Sequence, residues 1–168
     1  IDMSGRLTGL EALLRWPGAG ESSLPPAQFI AVAEENGMID EIGDWVIATV
    51  CRQLRAWLDD GLDPPRVAVN LSTRQLRASD LAARVAGLLA EAAVPARLLE
   101  FEVTETAAME NAESAARHLG ELGAMGVTLS IDDFGSGYSS LSHLRSLPLD
   151  SLKIDRSFVR DMHLDPRN

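Results

Sequence analysis

The sequence predicts an α/β fold built on a parallel sheet. Short apolar runs, typical of buried strands, alternate along the chain with longer segments of helical periodicity. The most regular helical segment covers residues 42–58, where Ile42, Val46, Val50 and Leu54 recur every four residues. Alternation of this kind favours parallel strands joined by helical crossovers. Two folds fit it, a doubly wound sheet and a barrel of eight strand–helix units.

The predicted elements follow from apolar runs and from the residues that end them. The strands are predicted over residues 7–14, 67–71, 98–103, 127–131 and 152–154. The helices are predicted over residues 25–36, 42–58, 79–92, 106–122, 139–147 and 157–162. Gly37, Gly61 and Pro148 mark three of the helix ends. The first strand lacks the glycine-rich loop of a doubly wound sheet, and five strands are too few to close a barrel, which typically needs about 250 residues.

The composition predicts a single acidic globular domain. The chain has 168 residues, of which 46% are hydrophobic and 24% are charged, and its net charge is -10. Because it has no basic cluster, it is not expected to bind a nucleic acid polymer or an anionic membrane. Cys51 is the only cysteine, which excludes a disulfide framework and a cysteine metal site. With no bilayer-spanning stretch and no signal peptide, we expect a cytoplasmic domain, or the cytoplasmic part of a membrane-anchored protein.

Polar side chains, most of them with an oxygen atom, occur at the end of every predicted strand. They are Glu11, Asn70, Glu102, the adjacent pair Asp132 and Asp133, and Lys153. If the strands are parallel, these ends meet at one edge of the sheet. Taken singly, each residue also fits an ordinary role as an exposed edge charge, a helix cap or part of a tight turn. Their recurrence at successive strands favours a shared site.

The residue types at these strand ends suit small, hard cations. Oxygen ligands without cysteine favour Mg²⁺ or Mn²⁺ over structural zinc. An acid pair such as Asp132 and Asp133 can divide between two ions about 3.5–4 Å apart, which activate a water molecule and offset charge in phosphoryl transfer. Lys153 would hold or polarise this water, and Arg15 could contact a phosphate oxygen. The histidines are not spaced as a ligand pair and are assigned surface or packing roles: His118, His143 and His163.

Five motifs, in order, resemble those of the EAL domain family, the bacterial cyclic di-GMP phosphodiesterases. They are Glu-Ala-Leu-Leu-Arg-Trp at 11–16, Val-Asn-Leu-Ser at 69–72, Glu-Val-Thr-Glu at 102–105, Asp-Asp-Phe-Gly-Ser-Gly-Tyr-Ser-Ser at 132–140 and Leu-Lys-Ile-Asp at 152–155. The ordered set is specific and covers nearly the whole chain. The resemblance implies a TIM-like barrel that hydrolyses one phosphodiester bond of cyclic di-GMP, giving the linear dinucleotide.

The resemblance also implies a two-metal site that binds Mg²⁺ or Mn²⁺. The implied ligands are Glu11, Asn70, Glu102, Asp132 and Asp133. Asp132 would bridge the two ions, and Asp133 would bind the second. Lys153, with Glu11 and Asp133, forms the implied catalytic set, in which Lys153 contacts the attacking water. Ca²⁺, which tolerates looser coordination, is expected as an inhibitory occupant.

Other roles implied by the resemblance concern substrate binding and assembly. Arg15 and Leu14 resemble substrate-contacting residues. Glu105 resembles a glutamate that anchors the loop over 134–140, which links metal binding to dimer contacts in the family. We therefore expect cyclic di-GMP as a partner, a homodimer, and sensory or GGDEF-type domains in the parent chain.

The chain differs from the family pattern at both ends. Family domains begin with a strand carrying a Gln-Pro pair, and they continue past Asn168 with strands that supply a further acidic ligand. Residues 1–168 are therefore expected to form a partial EAL domain and an incomplete barrel. The parent protein is expected to be an active enzyme, whereas residues 1–168 alone lack a ligand of the second metal and could be inactive. Ser136 stands where many members have threonine. The intact motifs favour a cyclic di-GMP phosphodiesterase, and the alternative is a non-catalytic cyclic di-GMP-binding or dimerisation module.

Overall fold

The computed structural model describes residues 1–16, 25–135 and 146–160, called the described residues below. Their strands are β1 (Gly9–Ala12), β2 (Arg66–Leu71), β3 (Leu99–Thr104), β4 (Thr128–Phe134) and β5 (Ser151–Ile154). Their helices are α1 (Pro26–Asn36), α2 (Ile39–Asp59), α3 (Thr73–Leu76), α4 (Leu81–Ala92), α5 (Glu105–Glu110), α6 (Ala112–Ala124) and α7 (Arg156–Arg160). A 3-10 turn at Ala96–Leu98 precedes β3.

The five strands form one parallel sheet whose spatial order is their order in the sequence, β1-β2-β3-β4-β5. A doubly wound sheet would reverse its strand order at a switch point, and these five strands show no reversal. The sheet and its helices therefore form a half-barrel. The predicted parallel α/β class is confirmed, and the topology decides between the two candidate folds in favour of the barrel.

The helix-facing side of the sheet carries the hydrophobic core. Val69, Phe101 and Leu129 lie side by side across β2, β3 and β4, and each is at most 2% exposed. Helix α2 packs onto this side through its buried residues, which include Ile47 and Leu54. The other buried residues of α2 are Ile39, Gly43, Val50 and Cys51. Cys51 is fully buried in this core, as its place in the helical pattern predicts.

The opposite side of the sheet is polar, and ion pairing holds its amino-terminal end together. Arg66 Nε lies 3.3 Å from Glu100 Oε2, and Arg66 Nη1 donates a hydrogen bond of 3.3 Å to Thr128 Oγ1. These contacts join β2, β3 and β4 at their starts. The polar residues predicted to form the site lie toward the other ends of the same strands.

One predicted helix is two helices in the structure. A single helix over 106–122 was expected, but the chain breaks at Asn111, whose φ of -149° and ψ of 78° are not helical. The Asn111 side chain accepts a hydrogen bond from Ser114 N at 3.1 Å and so caps α6. The prediction was wrong here because asparagine can satisfy a new helix terminus inside an otherwise continuous apolar pattern.

The remaining differences are in element length. Strand β4 continues through Asp132 and Asp133 to Phe134, beyond the predicted end at residue 131. Strand β1 covers only part of the predicted 7–14, and α3 was not predicted. Most of the predicted helix over 139–147 lies outside the described residues, and residues 146–147 form a turn. No helix among the described residues is long and apolar enough to cross a membrane.

Candidate active site

The register of the sheet brings most of the predicted site residues to one face. Asn70 pairs with Glu102, and Thr104 pairs with Asp132, so these residues share the polar side opposite the helices. Glu11 pairs with Ala68 on the same side of β1 and β2. In a parallel sheet the alternating side chains of neighbouring strands stay in phase. Asn70, Glu102 and Asp132 therefore converge toward the carboxyl ends of their strands.

Glu102 is the buried centre of this group. The residue is only 1% exposed, and its Oε1 accepts a hydrogen bond from Lys153 Nζ. Its second oxygen, Oε2, is buried and has no hydrogen-bond partner among the described residues. Burial raises the pKa of Glu102, and the hydrogen bond and charge of Lys153 only partly offset this effect. A buried carboxylate oxygen without a donor is costly unless a cation or another donor approaches it.

Lys153 lies beside Glu102 and feels several negative charges. Partial burial alone would lower the pKa of Lys153, but the hydrogen bond and charge of Glu102, with the charges of Glu11 and Asp132, raise it above its ordinary value. The Lys153 side chain remains 38% exposed. It is also the only lysine in the sequence. The site therefore holds one permanently charged ammonium group within a cluster of carboxylates.

Asn70 and Glu11 form a direct contact at the edge of this cluster. Asn70 Nδ2 donates a hydrogen bond of 2.9 Å to Glu11 Oε1. Both residues are exposed, so this bond orients two side chains that would otherwise move freely. Because Asn70 Nδ2 donates to Glu11, the side-chain oxygen of Asn70 can bind another partner.

Asp132 and Asp133 lie where β4 departs from regular geometry. The pairing of β4 with β5 is irregular between Ile131 and Phe134, and Asp133 has a φ of 52°. In a regular strand two adjacent residues point to opposite faces, and this irregularity changes that alternation. Burial, the charge of Asp132 and the neighbouring Asp155 raise the pKa of Asp133. The two acids therefore lie together in a strongly negative environment.

Glu105 contacts the backbone just after this acid pair. Its Oε2 accepts a hydrogen bond of 2.7 Å from Gly135 N, and the residue is only 2% exposed. Gly135 has a φ of 94°, and the ring of Phe158 lies where a Cβ atom would be. Glu105 is thus placed to hold the start of the predicted loop. Residues 136–140 of that loop lie outside the described residues.

The two predicted substrate-contacting residues are among those that line an apolar cavity. Leu14 and Arg15 line a cavity of about 360 Å³ that also reaches Asn70. Arg15 is exposed, and its Nη1 donates a hydrogen bond of 3.2 Å to Leu14 O. The cavity therefore joins a guanidinium group to the polar edge of the sheet.

The donor set fits a hard cation. No three acidic, histidine or cysteine side chains among the described residues are close enough to form a complete cation site by themselves. However, the orphaned Glu102 Oε2 is an unused buried ligand atom, and Glu11 and Asp132 are close enough to influence the pKa of Glu102. Carboxylate and amide oxygens are the ligands that Mg²⁺ and Mn²⁺ prefer. The residues present therefore fit the predicted ions in chemistry.

Two polar residues near the site were not predicted. Asp155 lies close enough to Asp133 to raise the pKa of that carboxyl group, and Ser130 is fully buried on β4 opposite Glu102, with its Oγ unpartnered among the described residues. Their positions could have been found by alternation, since Ser130 lies two residues before Asp132 and Asp155 lies two residues after Lys153. His118 is buried, and its Nδ1 lies 2.6 Å from Leu76 O, which confirms the predicted packing role. The other two histidines, His143 and His163, lie outside the described residues.

Comparison with known proteins identifies the family. A family model for the EAL domain matches residues 2–168. The chain belongs to the EAL domain family. The cyclic di-GMP phosphodiesterase NbdA of Pseudomonas aeruginosa is 46% identical over 164 residues, and PdeR of Escherichia coli is 40% identical over 166 residues. These matches cover 98% and 99% of this chain, which spans 21% and 25% of the two relatives' own length.

Solved EAL structures share the fold of this half-barrel. The MucR phosphodiesterase of Pseudomonas aeruginosa, solved as a cyclic di-GMP complex, superposes with a TM-score of 0.90 at 44% identity. The superposition covers 97% of this EAL chain and 66% of that chain. EAL domains are TIM-barrel-like, so the predicted fold class is confirmed. EAL phosphodiesterases as a class are metal-dependent.

Proposed function

We propose that this EAL domain hydrolyses cyclic di-GMP to the linear dinucleotide with the help of Mg²⁺ or Mn²⁺. The observation that carries the proposal is the buried carboxylate of Glu102, which has one oxygen paired with Lys153 and the other unpartnered among the described residues. Such an arrangement is unfavourable as a structural ion pair. It suits a carboxylate oxygen that binds a cation at the strand ends. The relatives NbdA and PdeR are named cyclic di-GMP phosphodiesterases, which also supports the proposal.

The carboxylates and the amide would hold the cations. In this proposal Glu11, Asn70, Glu102 and Asp132 bind the first ion, and Asp132 and Asp133 bind the second. The hydrogen bond from Asn70 Nδ2 to Glu11 Oε1 supports the assignment, because it orients both side chains toward the same place. When bound, divalent cations activate the attacking water and offset charge on the phosphate and the leaving oxygen.

Lys153 and Arg15 would act on the reactants directly. The Lys153 ammonium is a donor kept charged by its acidic neighbours, so it can orient the attacking water and stabilise charge that develops near it. The exposed Arg15 guanidinium can pair with a phosphate oxygen of the substrate. Leu14, next to Arg15 in the chain, would contact the dinucleotide beside this guanidinium group. Because the chain carries a net charge of -10, these local cations are needed to bind an anionic substrate.

The wider setting is also proposed. Residues 1–168 act as part of an EAL domain that forms a homodimer in the cytoplasm, alongside sensory or GGDEF-type domains. Support comes from the relative MucR, which is named a bifunctional diguanylate cyclase and phosphodiesterase. Glu105, which contacts Gly135, would connect the metal site with the loop that follows. Ca²⁺ would compete with Mg²⁺ for the same oxygen atoms and inhibit turnover.

The test is nucleotide turnover followed by chromatography, with Mg²⁺ or Mn²⁺ added to metal-free protein. Glu11→Ala and Lys153→Ala should each reduce turnover at least about a hundredfold, since each removes a group at the reacting atoms. Glu121→Ala, which removes an exposed glutamate of α6 that has no role in the proposed site, is the matched control. Unchanged turnover in both site variants would refute the assigned roles. Binding of cyclic di-GMP without turnover by the full-length parent protein would instead establish the non-catalytic alternative.

A further inference from the structure

Helices α2 and α3 approach each other closely at Gly43 and Gln75, and α3 directly follows the strand β2 that carries Asn70. Gly43 in α2 is buried, and a Cβ atom placed on it would lie 1.8 Å from Gln75 Nε2 and 2.8 Å from Gln75 Cδ. Gln75 is itself 2% exposed. The carboxamide therefore occupies the space that any side chain at position 43 would need.

The same Gln75 holds the chain segment that follows Asn70. Ser72 N donates a hydrogen bond of 3.2 Å to Gln75 Oε1, and Gln75 N donates one of 3.2 Å to Ser72 Oγ. This reciprocal capping box fixes the turn between β2 and α3. Asn70 is only two residues before Ser72. The conformation of Gln75 therefore determines the direction that the chain takes after β2.

The Gln75 carboxamide is held at its oxygen by Ser72 N, whereas within the described part of the chain its nitrogen is placed by packing alone. Among the described residues, Nε2 has no hydrogen-bond partner and is buried against Gly43. Glycine inside a helix costs about 1 kcal/mol relative to alanine. At position 43 the Gln75 carboxamide gives a steric reason for glycine, because it fills the space of a Cβ atom. Gly87 in α4 shows the contrast, since a Cβ atom there would meet nothing within 4 Å.

We propose that Gln75 is a positioning residue for the metal site, and that Gly43 exists to accommodate it. Gln75 fixes Ser72, Ser72 fixes the end of β2, and Asn70 at that end orients Glu11 through its 2.9 Å hydrogen bond. The inference rests on the proposed function, because it assumes that Asn70 and Glu11 bind a cation. Partners that orient metal ligands in this way commonly change metal affinity by 10- to 100-fold when they are removed, on the order of what is expected here.

The experiment compares Gly43→Ala with Gly87→Ala. Mn²⁺ binding is measured by calorimetry on the metal-free protein, and cyclic di-GMP turnover is measured across Mn²⁺ concentrations. Gly43→Ala should weaken Mn²⁺ binding about tenfold or more. The Mn²⁺ concentration that gives half-maximal turnover should rise by the same factor. Turnover at saturating Mn²⁺ should equal that of the unmodified protein. Gly87→Ala should leave both quantities unchanged. Hydrogen exchange at the Ser72 amide should accelerate only in Gly43→Ala.

Two further variants keep the test decisive if Gly43→Ala folds poorly. Gln75→Met keeps most of the side-chain volume but removes the acceptor for Ser72 N, so it should weaken Mn²⁺ binding to a similar extent. In a Gln75→Ala background, adding Gly43→Ala should not weaken Mn²⁺ binding further, because alanine at position 75 has no carboxamide to clash with a Cβ atom at position 43. Unchanged Mn²⁺ affinity in Gly43→Ala or Gln75→Met, with normal binding by the unmodified protein, would overturn the inference alone. Failure of the unmodified protein to bind Mn²⁺ would overturn the proposed function and the inference with it.

Discussion

Replacement of Glu102 by glutamine should stabilise the metal-free protein and abolish its stabilisation by metal. Glutamine has nearly the shape of glutamate, and its carbonyl oxygen can still accept a hydrogen bond from Lys153. The variant loses a charge that is buried at 1% exposure with one unpartnered oxygen. Burying this negative charge beside the charges of Glu11 and Asp132 costs about 1–3 kcal/mol, which the neutral amide of glutamine avoids. The lost ion pair involves a lysine side chain that is 38% exposed, so it offsets only about 1 kcal/mol of that cost.

The expected net effect is therefore a gain of about 1 kcal/mol, which corresponds to a rise in Tm of about 2–4 °C for a chain of this size. Saturating metal should reverse the order of stability. At a Mn²⁺ concentration one hundred times the dissociation constant, the unmodified protein gains about 2.7 kcal/mol, whereas the variant gains little. Thermal unfolding in chelator and in Mn²⁺ measures both effects.

The control for this comparison is Glu121→Gln, which changes an exposed glutamate and should alter stability by less than about 0.5 kcal/mol in both conditions. Lys153 supplies a second readout, because it is the only lysine and its ¹³C-methylated amine can be titrated by NMR. Loss of the negative charge of Glu102 should lower the pKa of Lys153. If Glu102→Gln lowers Tm with and without metal, Glu102 is a structural ion-pair partner and the reasoning is wrong.

Three further predictions concern the core and the loop anchor. Phe101→Ala should cost about 3–5 kcal/mol in urea unfolding, because the ring is fully buried; a loss below about 1 kcal/mol would contradict the described core. Burial raises the pKa of the Cys51 thiol, so Ellman's reagent should react with it slowly until urea unfolds the protein; rapid reaction in the folded state would place it at the surface. Glu105→Ala should accelerate hydrogen exchange at Gly135 and leave Mn²⁺ affinity within about twofold, on the order expected for a loop contact rather than a ligand; an unchanged exchange rate would refute the anchor.

Much of the fold could be predicted because local patterns and tertiary packing agree. The runs over 67–71 and 98–103 are apolar, short and flanked by helical segments, and they form β2 and β3 within about one residue of the predicted bounds. The convergence of Asn70, Glu102 and Asp132 followed from parallel strand order alone, since a parallel register places alternating side chains in phase.

The parts that were missed depend on single contacts that no periodicity encodes. Asn111 ends one helix and caps the next, although the surrounding apolar pattern continues without a break. Strand β4 continues through two acids because β5 pairs beside them, which composition alone does not indicate. The contact of Gly43 with Gln75 joins residues in different helices, and the sequence shows only a glycine in a helical segment. Such features can be identified only from the folded structure.

The agreement between strand order and sequence order has a consequence for how the chain assembles. Each strand pairs with the one made just before it, so the sheet can grow in one direction as successive units dock. An intermediate in which β4 has not yet docked offers Glu11, Asn70 and Glu102 but lacks Asp132. A divalent ion that needs all four residues would bind such an intermediate weakly. In the proposed metal site, the ion would therefore stabilise only those assemblies in which β4 has docked.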